Sequence, residues 1–457
     1  MITSLRLVDF KNFADETLRV GPFTVIVGTN ASGKSNIRDA FRFLHGIGRG
    51  YTLAEILGGR FGQGRQEEWE RIRGGNQIVR FDRAAFRIIS GSAGLTAVPR
   101  RTSARSSFRL DLGLRLEEDD VVYTVEVGAS ARRSSQFLVI GEGLRIGSRE
   151  VFTSRRDESA GAPEPLASDE THDGNYITLV EPDPLLLRLG PSEQGNSTEE
   201  VPVDARQPAL AQIPKRQAVA ANHRDRVEQV IDYLAAMRFP ALDPYMMRQP
   251  VLPDQNMLGD SGVNLPAVLH GICSDRKRKK TLISWTRGLT PTDVQDLEFP
   301  VDPITGRIHL VIREKNERRF VAESASDGTL RLLGVLAALF GSKPAKLYFF
   351  EDIEDGFHPS RLRLLLELIE RETVRRGIQV VTTTHSPDLL AQANDRTFGD
   401  MSLVCRREDS ENTVIRPVTK LPNAGRLRRS QGLGRLHATG WMEDMIAFEG
   451  DDEAAPK

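Results

Sequence analysis

Cysteine is almost absent from this chain, which has two in 457 residues. Cys273 and Cys405 lie far apart in the sequence, so their spacing supports neither a disulfide framework nor a zinc site. Long hydrophobic runs are absent too, since no stretch approaches the roughly 20 apolar residues that cross a bilayer. The start, MITSLRLVDF, has no apolar signal segment. These absences predict a cytoplasmic protein without a membrane segment.

An excess of one sign of charge is also missing, because 62 basic residues face 63 acidic ones and the formal net charge is −1. This balance argues against a wholly basic nucleic-acid binder but leaves room for local basic patches. No aromatic residues alternate with the basic ones in the way that favours stacking of single-stranded bases. The candidate patches are Arg100, Arg101 and Arg105; Arg132 and Arg133; RKRKK at 276–280; and Arg426, Arg428 and Arg429. For each patch, DNA binding through counterion release and a merely solvated face both stay open.

What the chain does contain is α/β patterning at its two ends. SLRLVDF, TLRV and PFTVIVG predict strands, and a helix from Lys34 would place Ile37, Ala40, Phe41 and Leu44 on one face. From about residue 300 the pattern returns, with a hairpin, the apolar helix TLRLLGVLAALF, the strands KLYFF and IQVVTTT and a helix between them. The strand pair DMSLVCRRED and NTVIRPVT follows, and the chain ends in the acidic tail GDDEAAPK.

The middle of the chain has a different pattern. Short alternating runs such as SSFRLDLGLRLE, DVVYTVEV and YITLV predict an antiparallel sheet. Residues 157–214 are rich in proline and acids, which predicts a loop or a partly ordered linker. A helix is then expected to carry Val227, Val230, Ile231, Leu234 and Met237 on one face.

The stretch GTNASGKSN, residues 28–36, lies between a predicted strand and a predicted helix and matches a phosphate-binding loop. Its glycines let the backbone wrap a phosphate, its amide N–H groups point at the anion, and Lys34 neutralises the β- and γ-oxygens. The hydroxyl of Ser35 would ligate Mg²⁺. We therefore predict a nucleotide site made of Gly28, Asn30, Ala31, Ser32, Gly33, Lys34, Ser35 and Asn36.

Three later stretches narrow the class of phosphate-loop protein. ESASDGTLRLL, residues 323–333, opens an apolar helix with Ser326, Asp327, Gly328 and Thr329. KLYFFEDIEDGFHPS delivers acids to the end of a buried strand, and in TTTHSPDLL a strand ends at His385. A helix-capping serine is the alternative for Ser326, and an imidazole satisfied within the core is the alternative for His385.

With these motifs in this order the sequence resembles the ABC-type ATPases of the SMC, RecF and OLD group, the AAA-family ATPases. The matching features are KNF at 11–13, the phosphate loop, ASDGT at 325–329, EDIEDGFHP and TTTHSP. The resemblance covers about 1–80 and 300–410, with MRQP and the GVNLPAVL helix as looser matches between. It implies an α/β ABC-type P-loop ATPase head with a mixed sheet, an antiparallel β subdomain and an inserted helical lobe.

The domain prediction follows from that resemblance. Residues 1–80 and 300–425 form the ATPase core, 81–299 the inserted β and helical region with the linker 157–214, and 426–457 a basic segment and acidic tail. In the family two heads sandwich two ATPs, so Ser326, Asp327, Gly328 and Thr329 would act in trans in a homodimer. The resemblance further implies ATP and Mg²⁺ as cofactors, and Lys11 and Asn12 on the nucleoside side, where a solvated turn is the alternative.

The order of the two strand-end acids is reversed here. Relatives usually carry Asp then Glu, with the Asp at the Mg²⁺ shell and the Glu at the attacking water, whereas this chain has Glu351 then Asp352. Because strand side chains alternate between faces, we keep each role with its position. Glu351 then serves Mg²⁺, directly or through a water, and Asp352 serves the attacking water. Asp352 is about 1.3 Å shorter in reach, and a displacement of about 1 Å can lower a rate about a hundredfold.

Two consequences of the shorter acid stay open: a compensating backbone shift, or slow hydrolysis in which ATP mainly locks a dimer. Glu354 is a third candidate acid, and His385 would contact the γ-phosphate or orient the water. Gln63 and Gln66 are equal candidates for the glutamine that links the two lobes.

OLD-type nucleases carry a C-terminal Toprim domain, and this sequence shows neither its D-x-D strand end nor enough chain for it. We therefore expect an OLD-like ATPase without nuclease activity, paired with a separate effector subunit that is a nuclease or Toprim-like. The predicted function is an ATPase that dimerises on ATP and controls that effector or DNA engagement, in phage defence or DNA repair. An ATP-locked scaffold or sensor with negligible turnover is the alternative. The third class, a transporter ATPase, is disfavoured by ASDGT in place of an LSGGQ-like loop.

Overall fold

The computed structural model describes most of the chain, with gaps that fall mainly in its middle. The described residues are 1–62, 67–73, 86–91, 94–99, 107–129, 137–155, 185–190, 199–216, 221–253, 255–291, 293–407 and 412–446. The predicted strand YITLV, the candidates Gln63 and Gln66, the arginines at 100, 101, 105, 132 and 133, and the acidic tail lie outside these residues.

Strands alternate with helices at both ends of the described chain, and strands dominate its middle. The strands are β1 (Ile2–Phe10), β2 (Phe13–Arg19), β3 (Phe23–Val27), β4 (Arg60–Phe61), β5 (Glu67–Trp69), β6 (Phe86–Gly91), β7 (Gly94–Pro99), β8 (Ser107–Leu116), β9 (Asp119–Ala129), β10 (Phe137–Ile146), β11 (Arg149–Arg155), β12 (Leu185–Leu189), β13 (Glu199–Val203), β14 (Met237–Arg238), β15 (Val294–Glu298), β16 (Val311–Glu314), β17 (Arg319–Val321), β18 (Leu347–Phe350), β19 (Gln379–Thr384), β20 (Met401–Arg406) and β21 (Thr413–Pro417).

The helices concentrate after residue 208. They are α1 (Lys34–Gly48), α2 (Leu53–Gly58), α3 (Ala209–Gln212), α4 (Ala221–Ala235), α5 (Pro244–Met247), α6 (Leu265–Cys273), α7 (Arg276–Leu289), α8 (Asp327–Phe340), α9 (Leu362–Arg376), α10 (Pro387–Ala391), α11 (Asp395–Gly399), α12 (Ala424–Gln431) and α13 (Leu433–Ala438). Residues 441–446 are also helical.

The chain divides into two compact units. The first unit comprises Met1, Thr17–Arg38 and Ala236–Lys457, and the second comprises Ile2–Glu16 and Asp39–Ala235. Strand β2 and helix α1 each contribute residues to both units. The predicted domain boundaries at 80, 299 and 425 remain a prediction.

The first unit is built on a six-stranded sheet in the order β14-β18-β19-β3-β20-β21. All neighbouring pairs are parallel except β20–β21, which is antiparallel, so the sheet is mixed. Strands β3, β18 and β19 are buried along their whole length, as strands of a parallel sheet that is covered on both faces should be. Because parallel strands end at one edge, the residues that follow β3, β18 and β19 meet there. The predicted α/β class with a mixed sheet is confirmed.

Helices and a small sheet complete the first unit. Helix α8 is buried over almost all of its length and packs against α5, α6 and α7. The strands β15, β16 and β17 form an antiparallel sheet that contains the predicted hairpin. The apolar residues of these elements join one hydrophobic core with those of β3, β18 and α9.

The second unit contains an eight-stranded sheet in the order β13-β12-β11-β10-β9-β8-β1-β2. Its pairs from β13 to β1 are antiparallel, which confirms the sheet predicted from the alternating runs. In β8 the side chains of Phe108, Leu110 and Leu112 are buried, and those between them are partly exposed. This period of two is what a sheet with one covered face requires.

Two predictions from the middle of the chain need correction. The segment 157–214 is not all linker, because β12 and β13 lie in it and extend the sheet. Leu185, Leu187 and Leu189 are buried in β12 and Leu186 is 41% exposed, an alternation that the surrounding prolines and acids obscured. Met237 is buried but not helical, because α4 ends at Ala235 and Met237 opens β14, which pairs with β18.

A buried carboxylate holds α3 against the sheet of the second unit. Glu142, on β10, accepts hydrogen bonds from the Tyr123 hydroxyl at 2.8 Å and from the backbone N–H groups of Ala209 and Leu210 at 2.5 and 2.9 Å. Burial is the largest influence on this group and raises the pKa of Glu142 to about 7, while the three donors act in the opposite direction. The folded state therefore binds a proton at Glu142 more tightly than the unfolded chain does.

This difference predicts a pH-dependent stability. Because the carboxyl pKa is higher in the folded state, the free energy of unfolding should fall as pH rises from about 4.3 to about 7, by on the order of 3 kcal/mol. Glu142→Gln should lack this pH dependence. Denaturant titrations at several pH values give the free energy of unfolding, and its plots against pH should not be parallel for the two proteins. Glu150→Gln, an exposed acid on β11, is the control and should keep the slope. Parallel curves for wild type and Glu142→Gln would contradict the assignment.

Candidate functional site

The predicted phosphate loop turns between the end of β3 and the start of α1. A Cβ at Gly28 would lie 2.3 Å from the Val404 carbonyl oxygen and 2.8 Å from Ser32 Oγ, so only glycine fits there. Ala31 and Gly33 have φ values of 62° and 111°, in the left-handed region. The Thr413 hydroxyl of β21 donates to the Ser32 carbonyl at 2.9 Å. The loop is thus held to the sheet while Asn30 and Ala31 stay exposed.

Lys34 is a buried cation at the base of this loop. Its Nζ donates to the carbonyl oxygens of Gly28 and Thr29 at 2.7 and 2.8 Å, and the residue is 8% exposed. Burial lowers the pKa of Lys34, and the negative charges of Asp352, Glu354, Glu351 and Glu443 oppose that shift. The ammonium group therefore lies inside the loop, at the place where a phosphate would bind.

Ser35 and Glu351, the two predicted magnesium ligands, are in direct contact. Ser35 Oγ donates to Glu351 Oε1 at 2.6 Å, and Glu351 Oε2 lies 3.5 Å from Arg38 Nε. Hydroxyl and carboxylate oxygens are the hard ligands that Mg²⁺ takes, so the pair fits such an ion. Arg38 was not identified from the sequence, although its place three residues after Ser35 on α1 puts both on one helix face.

Asp352 adjoins His385, as their motifs at two neighbouring strand ends imply. Asp352 Oδ1 lies 3.3 Å from His385 Nδ1 and accepts from the Thr383 hydroxyl at 3.3 Å, and the Asp352 N–H donates to Thr383 Oγ1 at 3.0 Å. The reasoning from strand alternation was wrong here, because β18 ends at Phe350. Asp352 has φ 43°, so a left-handed turn and not the strand pleat directs its carboxylate.

Glu354 is the most deeply buried acid of this turn. It is 8% exposed, its Oε1 accepts from the Thr384 hydroxyl at 2.5 Å, and burial raises its pKa. Its Oε2 is buried without a hydrogen-bond partner among the described residues. Ligand atoms of Asp352, Glu354 and His385 all lie within 4.8 Å of one another. Such a group can bind a cation or hold one water molecule between its members.

The signature-like segment starts α8. Ser326 is the N-cap: its Oγ accepts from the Thr329 N–H at 3.2 Å and lies 2.8 Å from the Thr329 hydroxyl. The capping alternative therefore describes Ser326 in the single chain, and its predicted trans role stays a prediction. Asp327 pairs with Arg248 of the MRQP stretch at 2.7 Å.

Two glycines join α8 to the acidic turn. A Cβ at Gly328 would lie 2.4 Å from the Gly356 carbonyl oxygen, and Gly356 has φ 88°. Arg331, one helical turn further on, lies 3.6 Å from Asp355 in the same turn. Gly328 of the signature segment therefore contacts the end of the acidic turn directly, at Gly356.

Lys11 lies in the second unit and is not a solvated turn residue. Its Nζ donates to Asp39 Oδ2 at 2.5 Å and to the Arg73 carbonyl at 2.8 Å, and its side chain is 8% exposed. Burial lowers its pKa, and Asp39 opposes that shift. The nucleoside role of Lys11 and Asn12 stays a prediction.

Glu443 is a second residue, after Arg38, that no sequence motif revealed. Both of its carboxyl oxygens are buried without a hydrogen-bond partner in the part of the chain described, and its Oε1 lies 3.7 Å from His437 Nδ1. Its negative charge opposes the lowering of the Lys34 pKa, as the charges of Asp352, Glu354 and Glu351 do more strongly. Helix α13 contacts α10, the helix that follows His385, which brings the C-terminal segment to this region.

A phosphate loop, an acidic turn and a histidine at one edge of a parallel sheet define the class of P-loop nucleotide-binding proteins. Within this class, the family model described as "AAA domain, putative AbiEii toxin, Type IV TA system" matches residues 23–391. This is well over half of the chain, which therefore belongs to that family. The prediction of an AAA-family ATPase is confirmed, and the OLD-like subtype stays a prediction. No curated protein matches the chain.

Solved SMC head domains also resemble the chain. The head domain from Thermotoga maritima has 13% identity and a TM-score of 0.40, and the match covers 91% of this chain and 98% of that one. An SMC head bound to the C-winged helix domain of ScpA has 13% identity and a TM-score of 0.46, covering 91% and 96%. An SMC head with an extended coiled coil, bound to the C-terminal domain of ScpA from Pyrococcus furiosus, has 12% identity and a TM-score of 0.46, covering 94% and 98%. At these scores the likeness carries no argument, and the assignment depends on the family match.

The helices in the described part of the chain are short or polar. None of those that the structure describes combines the length and the apolar character needed to cross a bilayer.

The position of Lys34 predicts the effect of removing it. Lys34→Ala should weaken binding of a non-hydrolysable ATP analogue by on the order of a hundredfold or more, because a desolvated cation beside the phosphates is lost. Isothermal titration calorimetry measures this change. Lys343→Ala, an exposed lysine of the first unit, is the matched control and should bind like wild type. Unchanged affinity in Lys34→Ala would show that the nucleotide site lies elsewhere.

Proposed function

We propose that this protein is an ATPase that binds ATP at the phosphate loop, dimerises on it and thereby controls a partner. The contact of Ser35 with Glu351 at 2.6 Å, beside Lys34, is the observation that carries the proposal. A hydroxyl, a carboxylate and a buried ammonium at the base of a glycine-rich loop suit a nucleoside triphosphate with its magnesium ion.

Each residue then has a chemical role. Lys34 and the loop amides bind the β- and γ-phosphate oxygens, and Ser35 and Glu351 hold Mg²⁺, which supplies positive charge against the triphosphate. Asp352 accepts a proton from the attacking water, and His385, 3.3 Å away, orients that water. The water oxygen bonds to the γ-phosphorus while the bond to the β–γ bridging oxygen breaks, leaving ADP and phosphate.

The partner side of the proposal comes from the family resemblance. Ser326, Asp327, Gly328 and Thr329 of one protomer would cover the γ-phosphate bound by the other, so that ATP joins two copies. The dimer would control a separate effector, a nuclease or Toprim-like chain, or its engagement with DNA, in phage defence or DNA repair.

A sensor with negligible turnover is the second candidate, and one observation favours it. The Asp352 carboxylate already accepts from the Thr383 hydroxyl and lies beside His385, each at 3.3 Å, and its residue occupies a left-handed turn. A carboxylate held in this way has little freedom to follow a water toward the γ-phosphate. ATP would then lock the dimer for long periods.

Substitution of the two acids separates these candidates. If Asp352 is the base, Asp352→Asn should lower turnover by about 10² to 10⁴-fold and leave ATP binding intact. Glu354→Gln, a similar change in the same turn, should lower turnover less than tenfold. A phosphate-release assay with a parallel binding measurement checks both variants. The opposite ranking would transfer the role of base to Glu354, and wild-type turnover near the background rate would favour the sensor.

The trans arrangement can be tested by mixing two inactive variants. Lys34→Ala inactivates the phosphate loop and leaves the signature segment intact. Ser326→Arg inactivates the signature segment and leaves the phosphate loop intact. In random dimers half the molecules are mixed, and each contains one complete site, so an equimolar mixture should recover about one quarter of wild-type turnover.

The control for that experiment is a mixture of Lys34→Ala with Ser35→Ala. Both of these variants lack a working phosphate loop, so no dimer that they form has a complete site. A mixture of Lys34→Ala and Ser326→Arg that stays as inactive as this control would contradict the trans assignment.

A further inference from the structure

A basic cavity lies in the first unit where α7 begins and where α8 and α9 end. Its volume is about 280 Å³, and its lining residues are Asp275, Lys277, Arg278, Thr281, Phe340, Arg375 and Arg376. Four of these seven residues carry positive charge and one carries negative charge. The cavity is therefore a concave surface of one dominant sign in a chain whose overall charge is balanced.

The positive charge of this cavity is only partly compensated. Arg375 and Arg376 both contact the buried carboxylate of Glu372, at 2.6 and 3.4 Å. Within the described ranges, no acidic side chain forms a salt bridge with Lys277 or Arg278. Burial lowers the pKa of Arg376, and the neighbouring charges of Arg375 and Arg278 contribute to that shift. Like charges thus converge on one space from two different helices.

The start of α7 also opposes its own helix dipole. Arg276, Lys277 and Arg278 occupy its first turn, which contains no acid, although the N-terminal end of a helix disfavours cations. Among the described residues of this helix start, the N-cap Asp275 is the one acid, and it accepts from the Arg278 N–H at 2.8 Å. A sequence that violates a local rule of this kind usually does so at a functional site. An anion in the cavity would relieve the repulsion on both sides.

This cavity is separate from the nucleotide site. Arg375 and Arg376 end α9, and β19 begins directly afterwards at Gln379. The phosphate loop, Glu351 and His385 follow the opposite ends of the parallel strands. The six residues of β19 span about 20 Å, so an anion in this cavity cannot be the triphosphate on Lys34.

We propose that this cavity binds a phosphate group, either of a nucleic-acid backbone or of a free phosphate compound. Lysine and arginine side chains from two helices suit a tetrahedral anion with more than one charge. Phe340 is the one aromatic or aliphatic side chain of the lining and is 2% exposed. This aromatic side chain is therefore too little exposed to act as the apolar anchor on which peptide recognition depends.

The first test uses a fluorescent 20-base-pair DNA duplex and the full-length protein without nucleotide. Lys277→Gln with Arg278→Gln removes two charges from the cavity, and Arg276→Gln with Lys280→Gln removes two charges from the same helix outside it. Anisotropy titrations in about 0.1 M salt should show about tenfold weaker binding for the cavity pair and less than a twofold change for the control pair. The salt dependence of log K should also become less steep, by about two in slope, for the cavity pair alone.

The second test distinguishes the source of the phosphate. Pyrophosphate is titrated calorimetrically into protein that carries Lys34→Ala, because this substitution prevents binding at the nucleotide site. The cavity pair and the control pair of substitutions are each combined with Lys34→Ala and compared. Binding of pyrophosphate but not of the duplex, lost only in the cavity pair, would assign the cavity to a free phosphate compound. Selective loss of duplex binding would assign it to a nucleic-acid backbone.

Three results would overturn the proposal. They are the binding of neither probe, an equal loss in the cavity and control pairs, and displacement of the duplex by a poly-glutamate peptide at lower concentration than by pyrophosphate. ATP turnover without DNA should be the same in both pairs, so failure of this proposal is distinct from failure of the proposed ATPase.

Discussion

The buried ammonium of Lys34 is the charge on which the arrangement of the nucleotide site depends. A cation removed from water is costly unless opposite charges and hydrogen-bond acceptors surround it. Two loop carbonyls accept from its Nζ, and the carboxylates of the acidic turn favour its charged form. The acids themselves are held by separate partners: Ser35 for Glu351, Thr383 for Asp352 and Thr384 for Glu354. One central charge and three hydroxyl groups thus keep three acids close together at one edge of the sheet.

The two edges of the parallel sheet have opposite electrostatic character in this protein. At the edge that contains the phosphate loop, the acids Glu351, Asp352 and Glu354 outnumber the nearby cations Lys34 and Arg38. At the other edge, α7 and α9 bring cations together with too few acids to neutralise them. A near-zero net charge therefore hides a strongly uneven distribution. The net charge of the chain does not indicate where positive and negative side chains are concentrated.

Local sequence rules predicted the parts of the site that local geometry decides. The spacing from Gly28 to Ser35 predicts a loop between a strand and a helix, and runs of β-branched and apolar residues predict β3, β18 and β19. Those rules did not predict the backbone path at Asp352, which has a φ of 43° and whose N–H donates to Thr383 of a strand distant in sequence. Glu443 belongs to no motif and reaches the site through tertiary packing alone. In β12 the alternating burial of leucines was not predicted, because the proline and acid content of the surrounding segment 157–214 indicated a linker.

The approach of Gly328 to Gly356 leaves no side chain between two stretches of backbone. Protein interiors transmit displacement where atoms are in contact and absorb it where soft side chains intervene. Nothing compressible separates the first turn of α8 from the turn that follows the acids, and both belong to the same polypeptide. The two segments therefore form a rigid contact, so a displacement of the first turn of α8 is transmitted directly to the turn that contains Gly356.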